Sequence, residues 1–315
     1  MSFGKAKKQN NKIHIGSRAF DVFLIVFMII VAIIFLYPFL NVIATSLSSN
    51  RMITTGQVTF FPKEFHLDGY KALLKDENIL GAYWNTIVIA VGTMIVSLVL
   101  NSLMAYVMMA PEFVLRKPLS IILLITMFFS GGTVPAYLLI QNLGLYDSWW
   151  SLILPNAVSA YNIFIYRSFY QGISPEIREA ARIDGASEFQ ILTKIYAPLS
   201  KALYATFGLF SVVGVWNSYY EALLYIKDPA KQPIQMLLRK IVFTSNTSNM
   251  SNAQQMISNG NLNSLNVQYA CVIATIGPIL LVYPFIQKYF AQGVQVGAVK
   301  GLYSDYMEAG GQLSL

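Results

Sequence analysis

Residues 174–198 read SPEIREAARIDGASEFQILTKIYAP, a charged, alanine-rich stretch set between two long apolar runs. Ser174-Pro175-Glu176 has the order of a helix start: a hydroxyl cap, proline at the first helical position, then an acid near the positive helix end. Ile177, Ala180, Ala181 and Ile183 follow with small or apolar side chains. Gly185 then interrupts the pattern, and glycine permits backbone angles that other residues resist. Ser187-Glu188-Phe189-Gln190 has the spacing of a capping box, with Gln190 three residues after the hydroxyl. The stretch therefore predicts a helix, a glycine turn and a second helix running towards Pro198. Small side chains on the first helix let a partner's surface approach closely. A solvated helical hairpin with no partner has the same local pattern.

The rest of the chain is too apolar for water. Of its 315 residues 55% are hydrophobic and 12% charged, with a mean hydropathy of +0.52; a soluble domain carries about 25% charged residues. Charge-poor runs near the ~20 residues that cross a bilayer core occur at Phe20–Ile43, Trp84–Met109, Leu119–Ile140, Trp149–Phe169, Ala202–Leu224 and Val267–Phe290. The first is too long for a signal peptide and no clear small-residue cleavage site follows it, so it reads as a retained span. With the N-terminus inside, fourteen of the 22 lysines and arginines fall in inner segments. Both termini are expected in the cytoplasm on that bias, and the 174–198 hairpin with them.

The expected organisation is an all-α membrane protein with six transmembrane helices. An N-terminal arm covers 1–19, the membrane domain 20–290 with the loop 171–201 inside it, and a tail 291–315. Two outer segments are long, Thr45–Tyr83 and Tyr225–Asn266. Within the second, Pro233–Phe243 alternates at helical spacing, which suits either an interfacial helix or an ordinary packed loop helix. Ser245–Asn266 is rich in Asn and Ser and reads as a mobile tip or docking surface.

Several activities have no residues to carry them. There is no G-x-x-x-x-G-K-[ST] loop to cradle phosphates, and no G-x-S-x-G, H-E-x-x-H or paired-cysteine pattern. One cysteine, Cys271, and two histidines, His14 and His66, leave little for a metal site. The net charge of +7 sits at the ends of apolar runs rather than on one face, which argues against nucleic acid. Neither paired mid-membrane ionisable residues nor two related halves, the marks of a secondary transporter, are visible. The catalytic clusters of a membrane sugar transferase are missing as well.

Polar groups inside a membrane tend to face the bundle interior or a water-filled path. Asn85, Asn101, Asn156, Asn162, Asn217 and Glu221 are of this kind. Trp216, Tyr219 and Tyr220 add flat surfaces on which a sugar ring stacks. Asn85, Asn162, Trp216, Asn217, Tyr220 and Glu221 are therefore candidates for a substrate path. Packing explains such residues too, since Trp and Tyr gather at membrane interfaces and Asn hydrogen-bonds between helices. Gly131-Gly132, Pro135, Pro155, Gly277-Pro278 and Pro284 are expected to kink the third, fourth and sixth spans.

Glu179-Ala180-Ala181, three residues, Gly185, nine residues, then Ile195-Tyr196-Ala197-Pro198 closely resembles the EAA loop of ABC importer permeases. Ala197 departs from the leucine of that pattern. Gly293-Val294-Gln295-Val296-Gly297-Ala298-Val299-Lys300-Gly301 looks like the ending of carbohydrate-importer permeases of the MalG-like group. Gly56–Leu80, Tyr83-Trp84-Asn85-Thr86 and Trp216-Asn217-Ser218-Tyr219 look like its LplC and YtcP branch. The resemblance spans roughly residues 12–301 and implies a MetI/MalG-like type I permease fold in a bacterial cell membrane. It implies that Glu179, Ala180, Ala181, Asp184, Gly185, Ile195 and Pro198 belong to a loop that couples this chain to an ATPase. The implied partners are a second homologous permease, two ATP-binding subunits, a solute-binding lipoprotein and an oligosaccharide. ATP and magnesium would sit on the ATPase subunits, with no cofactor on this chain.

Overall fold

The computed structural model describes residues 15–246 and 265–281. The arm up to residue 14, most of the Asn- and Ser-rich stretch, the end of the sixth run and the C-terminal motif at 293–301 lie outside those residues. Among the described residues all regular structure is helical: α1 (Ile15–Ser46), α2 (Asn50–Thr54), α3 (Asp68–Lys75), α4 (Glu77–Met109), α5 (Arg116–Phe128), α6 (Thr133–Asn142), α7 (Trp150–Ile153) and α8 (Ala160–Gln171). Then follow α9 (Pro175–Ile183), α10 (Glu188–Leu199), α11 (Lys201–Asn217), α12 (Tyr220–Tyr225), α13 (Ile234–Asn246) and α14 (Leu265–Leu281).

The chain divides into two compact units, one drawing on Met1–Ala72 and Gly260–Ile273, the other on Leu73–Asn259 and the chain from Ala274. In the first, α1 carries apolar side chains on every face, and Phe23, Ile29 and Phe35 stand exposed. A helix hydrophobic all round suits lipid rather than water. Beyond it the Asn41 side-chain amide donates to Thr59 O at 2.9 Å, and Ser46 Oγ lies 2.8 Å from the Tyr70 hydroxyl.

The second unit is built around α4, whose 33 residues rise roughly 50 Å at about 1.5 Å each. Asp76 caps it, its carboxylate accepting the Asn78 N–H at 2.9 Å. Gly208 of α11 faces Met94 and Leu98 of α4, where even a Cβ would sit in ordinary contact at 3.5 Å. One core cluster gathers Tyr106, Met108, Ile163, Tyr166, Tyr170, Ile191, Tyr196 and Phe207 at one end of the unit. A second holds Ile89, Ile140, Leu152, Tyr225 and Met236. The loop helix α13 is packed rather than interfacial: Ile234, Met236 and Ile241 are buried, and the Ile234 N–H donates to Thr86 Oγ1 at 2.8 Å.

Six spans were expected, with the third, fourth and sixth interrupted, and the structure shows how deep the interruptions go. Among the described residues Phe20–Ser46 and Asn78–Met109 are long and apolar enough to cross a membrane, and up to four such spans are counted if each bent pair is one. The third run breaks into α5 and α6 with a bend of 118°. Gly132, at φ +88°, takes a left-handed conformation that a side chain would resist. The fourth run leaves its helix at Leu154 and re-enters one at Ala160. Pro155 stands in that gap and Asn101 repairs it. The Asn101 amide donates to Ala157 O at 2.9 Å and its carbonyl oxygen accepts the Ser159 N–H at 3.0 Å. Backbone freed from a helix at membrane depth must find such partners, because no water replaces them. The fifth run also stops early, at Asn217, and restarts at Tyr220.

Candidate coupling hairpin and polar cleft

The hairpin forms as its residues dictate, with two refinements. Pro175 begins α9, but the Ser174 hydroxyl makes no backbone cap and instead donates to the Glu176 carboxylate. Gly185 turns the chain at φ +80°. The capping box is complete: the Gln190 N–H donates to Ser187 Oγ at 3.3 Å, and the Ser187 N–H donates to Gln190 Oε1 at 2.9 Å. Residues Leu192–Tyr196 then widen into a π turn, with the Ala197 N–H reaching Leu192 O. Pro198 follows directly. Its ring crowds the carbonyl four residues back and offers no N–H, so a locally wider turn relieves both problems. At Ser200 the chain bends by 84° into α11.

The motif residues divide between two faces. Glu179, Ala180, Asp184, Gly185 and Pro198 are exposed, whereas Ala181 and Ile195 pack against the tyrosine-rich core. Tyr196, between Ile195 and Ala197, is buried with its ring 5.3 Å from Tyr106 and 5.5 Å from Tyr170. Ile183 is 86% exposed and Phe189 66%. Both are large apolar side chains left bare on a charged hairpin.

A charged clamp that the sequence reading missed fastens the hairpin to the end of α4. The Arg178 guanidinium, 11% exposed, lies 3.4 Å from Glu112 and 3.3 Å from Glu188. Arg182 bonds Glu112 at 2.9 Å, and its Nε donates to Glu188 at 2.6 Å. The Tyr106 hydroxyl donates to Glu188 at 2.5 Å, and Arg178 stands over the Tyr106 ring at 5.8 Å. Glu112 is held down to about 2 by its own backbone N–H and by Arg182. Burial pushes Glu188 up, but bonds from Tyr106 and Arg182 and the charge of Arg178 outweigh it and leave it below its ordinary value. Arg178 and Arg182, four residues apart on one helical face, were the available signal. Nothing in the sequence pointed to Glu112 or Tyr106 as their partners.

The candidate substrate-path residues do not converge. Asn85 is buried, and its amide donates to Ala230 O at 2.7 Å and Gln232 O at 3.1 Å, pinning the loop between α12 and α13. Trp216 is buried too, with its indole N–H on Thr275 O at 3.0 Å. Asn217 turns back to Val213 O at 3.0 Å, Asn162 is half-buried on α8, and Tyr220 is exposed. Glu221 alone of the six lines a cleft of about 340 Å³, with Thr93, Asn156, Ser211, Gly214 and Ser218. The Ser218 hydroxyl donates to the Glu221 carboxylate.

An all-helical membrane unit with an exposed hairpin of this spacing defines a transport-system membrane component, and comparison with known proteins agrees. The family described as binding-protein-dependent transport system inner membrane component matches residues 95–296, and this chain belongs to it. It is 38% identical to the polygalacturonan/rhamnogalacturonan transport system permease protein YtcP of Bacillus subtilis (strain 168), over 90% of this chain and 99% of that protein. To protein LplC of the same organism it is 39% identical, over 91% of this chain and 96% of that one. Among solved structures, a chain of a bacterial ABC transporter involved in import of the acidic polysaccharide alginate superposes with a TM-score of 0.81. That pair shares 31% identity, over 88% of this chain and 98% of the other.

Proposed function

We infer that this chain is the translocation subunit of an ATP-driven ABC importer for oligosaccharides derived from polysaccharides. The observation that carries the reading is the coupling hairpin: a motif-bearing helical pair, bare at Ile183 and Phe189 and tied to a membrane-length helix by the Tyr106–Glu188 hydrogen bond and by Arg178 over the Tyr106 ring. Glu179, Ala180, Asp184, Gly185 and Pro198 present the outer face to an ATPase subunit, while Ala181 and Ile195 anchor the hairpin. ATP and magnesium belong to two such partner subunits, and this chain catalyses no covalent step. A second, homologous permease completes the path, and an extracytoplasmic binding lipoprotein delivers the sugar. Both termini lie in the cytoplasm, as the distribution of Lys and Arg supports.

The reading fits the printed name of one relative, a polygalacturonan/rhamnogalacturonan transport system permease. The test is reconstitution of the complete importer in liposomes with its binding protein. Uptake of oligosaccharides derived from polysaccharides should require ATP and be indifferent to ion gradients. Uptake by this chain alone under a proton or sodium gradient would overturn the assignment.

A further inference from the structure

The cleft at Glu221 has a chemical character that goes beyond the importer reading, on which this inference rests. Thr93 of α4 and Ser211 of α11 stand on its walls. Thr93 is sixteen residues before the end of α4 at Met109, so it sits roughly 24 Å along the helix from that end at about 1.5 Å per residue. Ser211, ten residues into α11, is roughly 15 Å from that helix's start. On the topology proposed above, both places fall within a hydrocarbon core about 30 Å thick, in or near its outer half.

Polar walls at that depth are costly against lipid and are kept for an interior path. The Thr93 hydroxyl strengthens this reading. Thr93 is 1% exposed, lines the cleft, and its Oγ1 has no hydrogen-bond partner among the described residues. A buried hydroxyl without a partner is unusual in a native structure and invites one from a ligand. The cleft's volume of about 340 Å³ is within the range of small-molecule sites, about 300–1,000 Å³.

Its charge is one-sided. The lining offers one carboxylate, one amide and three hydroxyls, and no lysine or arginine. A narrower recess shares Asn156, Ser218 and Glu221 and adds Thr86 without adding a cation. Arg239 lies over the Tyr219 ring at 5.5 Å and is not among the lining residues. A carboxylate with no counter-cation among the described lining residues accepts hydrogen bonds from sugar hydroxyls, and like charge brought against it is penalised. The geometry points to a subsite on this subunit for an uncharged sugar ring, held by Glu221, Asn156, Ser211 and Thr93, that excludes a uronate ring. This is the opposite preference from the acidic polymer named for the alginate importer.

The experiment measures equilibrium binding of galactotriose and trigalacturonate to the complete importer in nanodiscs at neutral pH, beside ATP-driven uptake of each. Galactotriose should bind at least about tenfold more tightly than trigalacturonate. Glu221→Gln, nearly the same shape without the charge, should narrow that ratio several-fold by admitting the uronate. Thr93→Val should weaken galactotriose by about fivefold, the value of one hydrogen bond. Equal or tighter binding of trigalacturonate by the wild type would overturn the inference, as would a ratio unmoved by Glu221→Gln. Thr93→Val leaving galactotriose binding untouched would remove the hydroxyl from the site. Uptake of sugars with the wrong charge preference sinks only this inference, whereas ATP-driven uptake of no oligosaccharide sinks the importer reading itself.

Discussion

Replacing Arg178 with methionine keeps the apolar stem and removes the charge at the centre of the clamp. Arg178 is nearly buried, but its partners are not: the Glu112 and Glu188 side chains are 55% and 44% exposed. A fully buried pair broken on one side costs about 3–5 kcal/mol, and an exposed pair is worth about 0.2–1 kcal/mol. Two pairs of mixed exposure, with Arg182 still bonded to both acids, place the loss at about 1–2 kcal/mol. One pair reaches Glu112 just beyond α4 and the other ties α9 to α10, so the loss corresponds to roughly a 5–30-fold rise in the fraction of hairpins locally opened. Hydrogen exchange reads this directly. Amides of 175–191 should lose protection by about that factor, while the Asn85–Leu98 part of α4 keeps its own. Transport should fall more than ATPase activity, because a loosened hairpin still docks but pushes less on α4. Unchanged exchange in 175–191, or a uniform change along the chain, would refute the clamp. So would a double-mutant cycle with Glu188→Gln that shows no coupling between the two sites.

Three further outcomes follow from the same geometry. Gly185→Ala should cost about 1–2 kcal/mol of left-handed backbone strain, while Gly185→Trp should additionally abolish transport. A Cβ at Gly185 meets nothing within 4 Å in this chain, so any larger effect of the bulky residue, seen in transport against thermal melting, arises at the partner. Asn101→Leu should lower unfolding stability by about 2–3 kcal/mol in a thermal melt, since Ala157 O and the Ser159 N–H lose their partner in a buried place. Glu112 should contribute stability only when ionised: its value falls from 4.5 to about 2 on folding. That contribution is present above pH 4.5 and fades as pH drops towards 2, so the melting difference between wild type and Glu112→Gln should shrink over that window.

Local chemistry made the hairpin legible. Pro175, Gly185, and Ser187 with Gln190 act through neighbours within four residues, and each took the place its pattern indicated, except that Ser174 chose the Glu176 side chain. The apolar runs were legible for the same reason, since hydropathy is a sum over adjacent residues. Their interruptions were legible only in part. Gly132 and Pro155 marked the sites, but the depth of each break depended on who would satisfy the freed backbone.

The sequence by itself determined that this is an all-helical membrane protein with a hairpin built to the permease pattern, because composition, capping and motif spacing are properties of contiguous chain. Only the tertiary structure decided which polar residues are structural and which are available. It brought Asn101 to the broken fourth run, Asn85 and Trp216 to distant carbonyls, and Arg178 between Glu112 and Glu188. Such pairings join residues up to 147 positions apart. No local pattern encodes a partner at that distance; packing against α4 selects it, and the low dielectric around it penalises every group left without one.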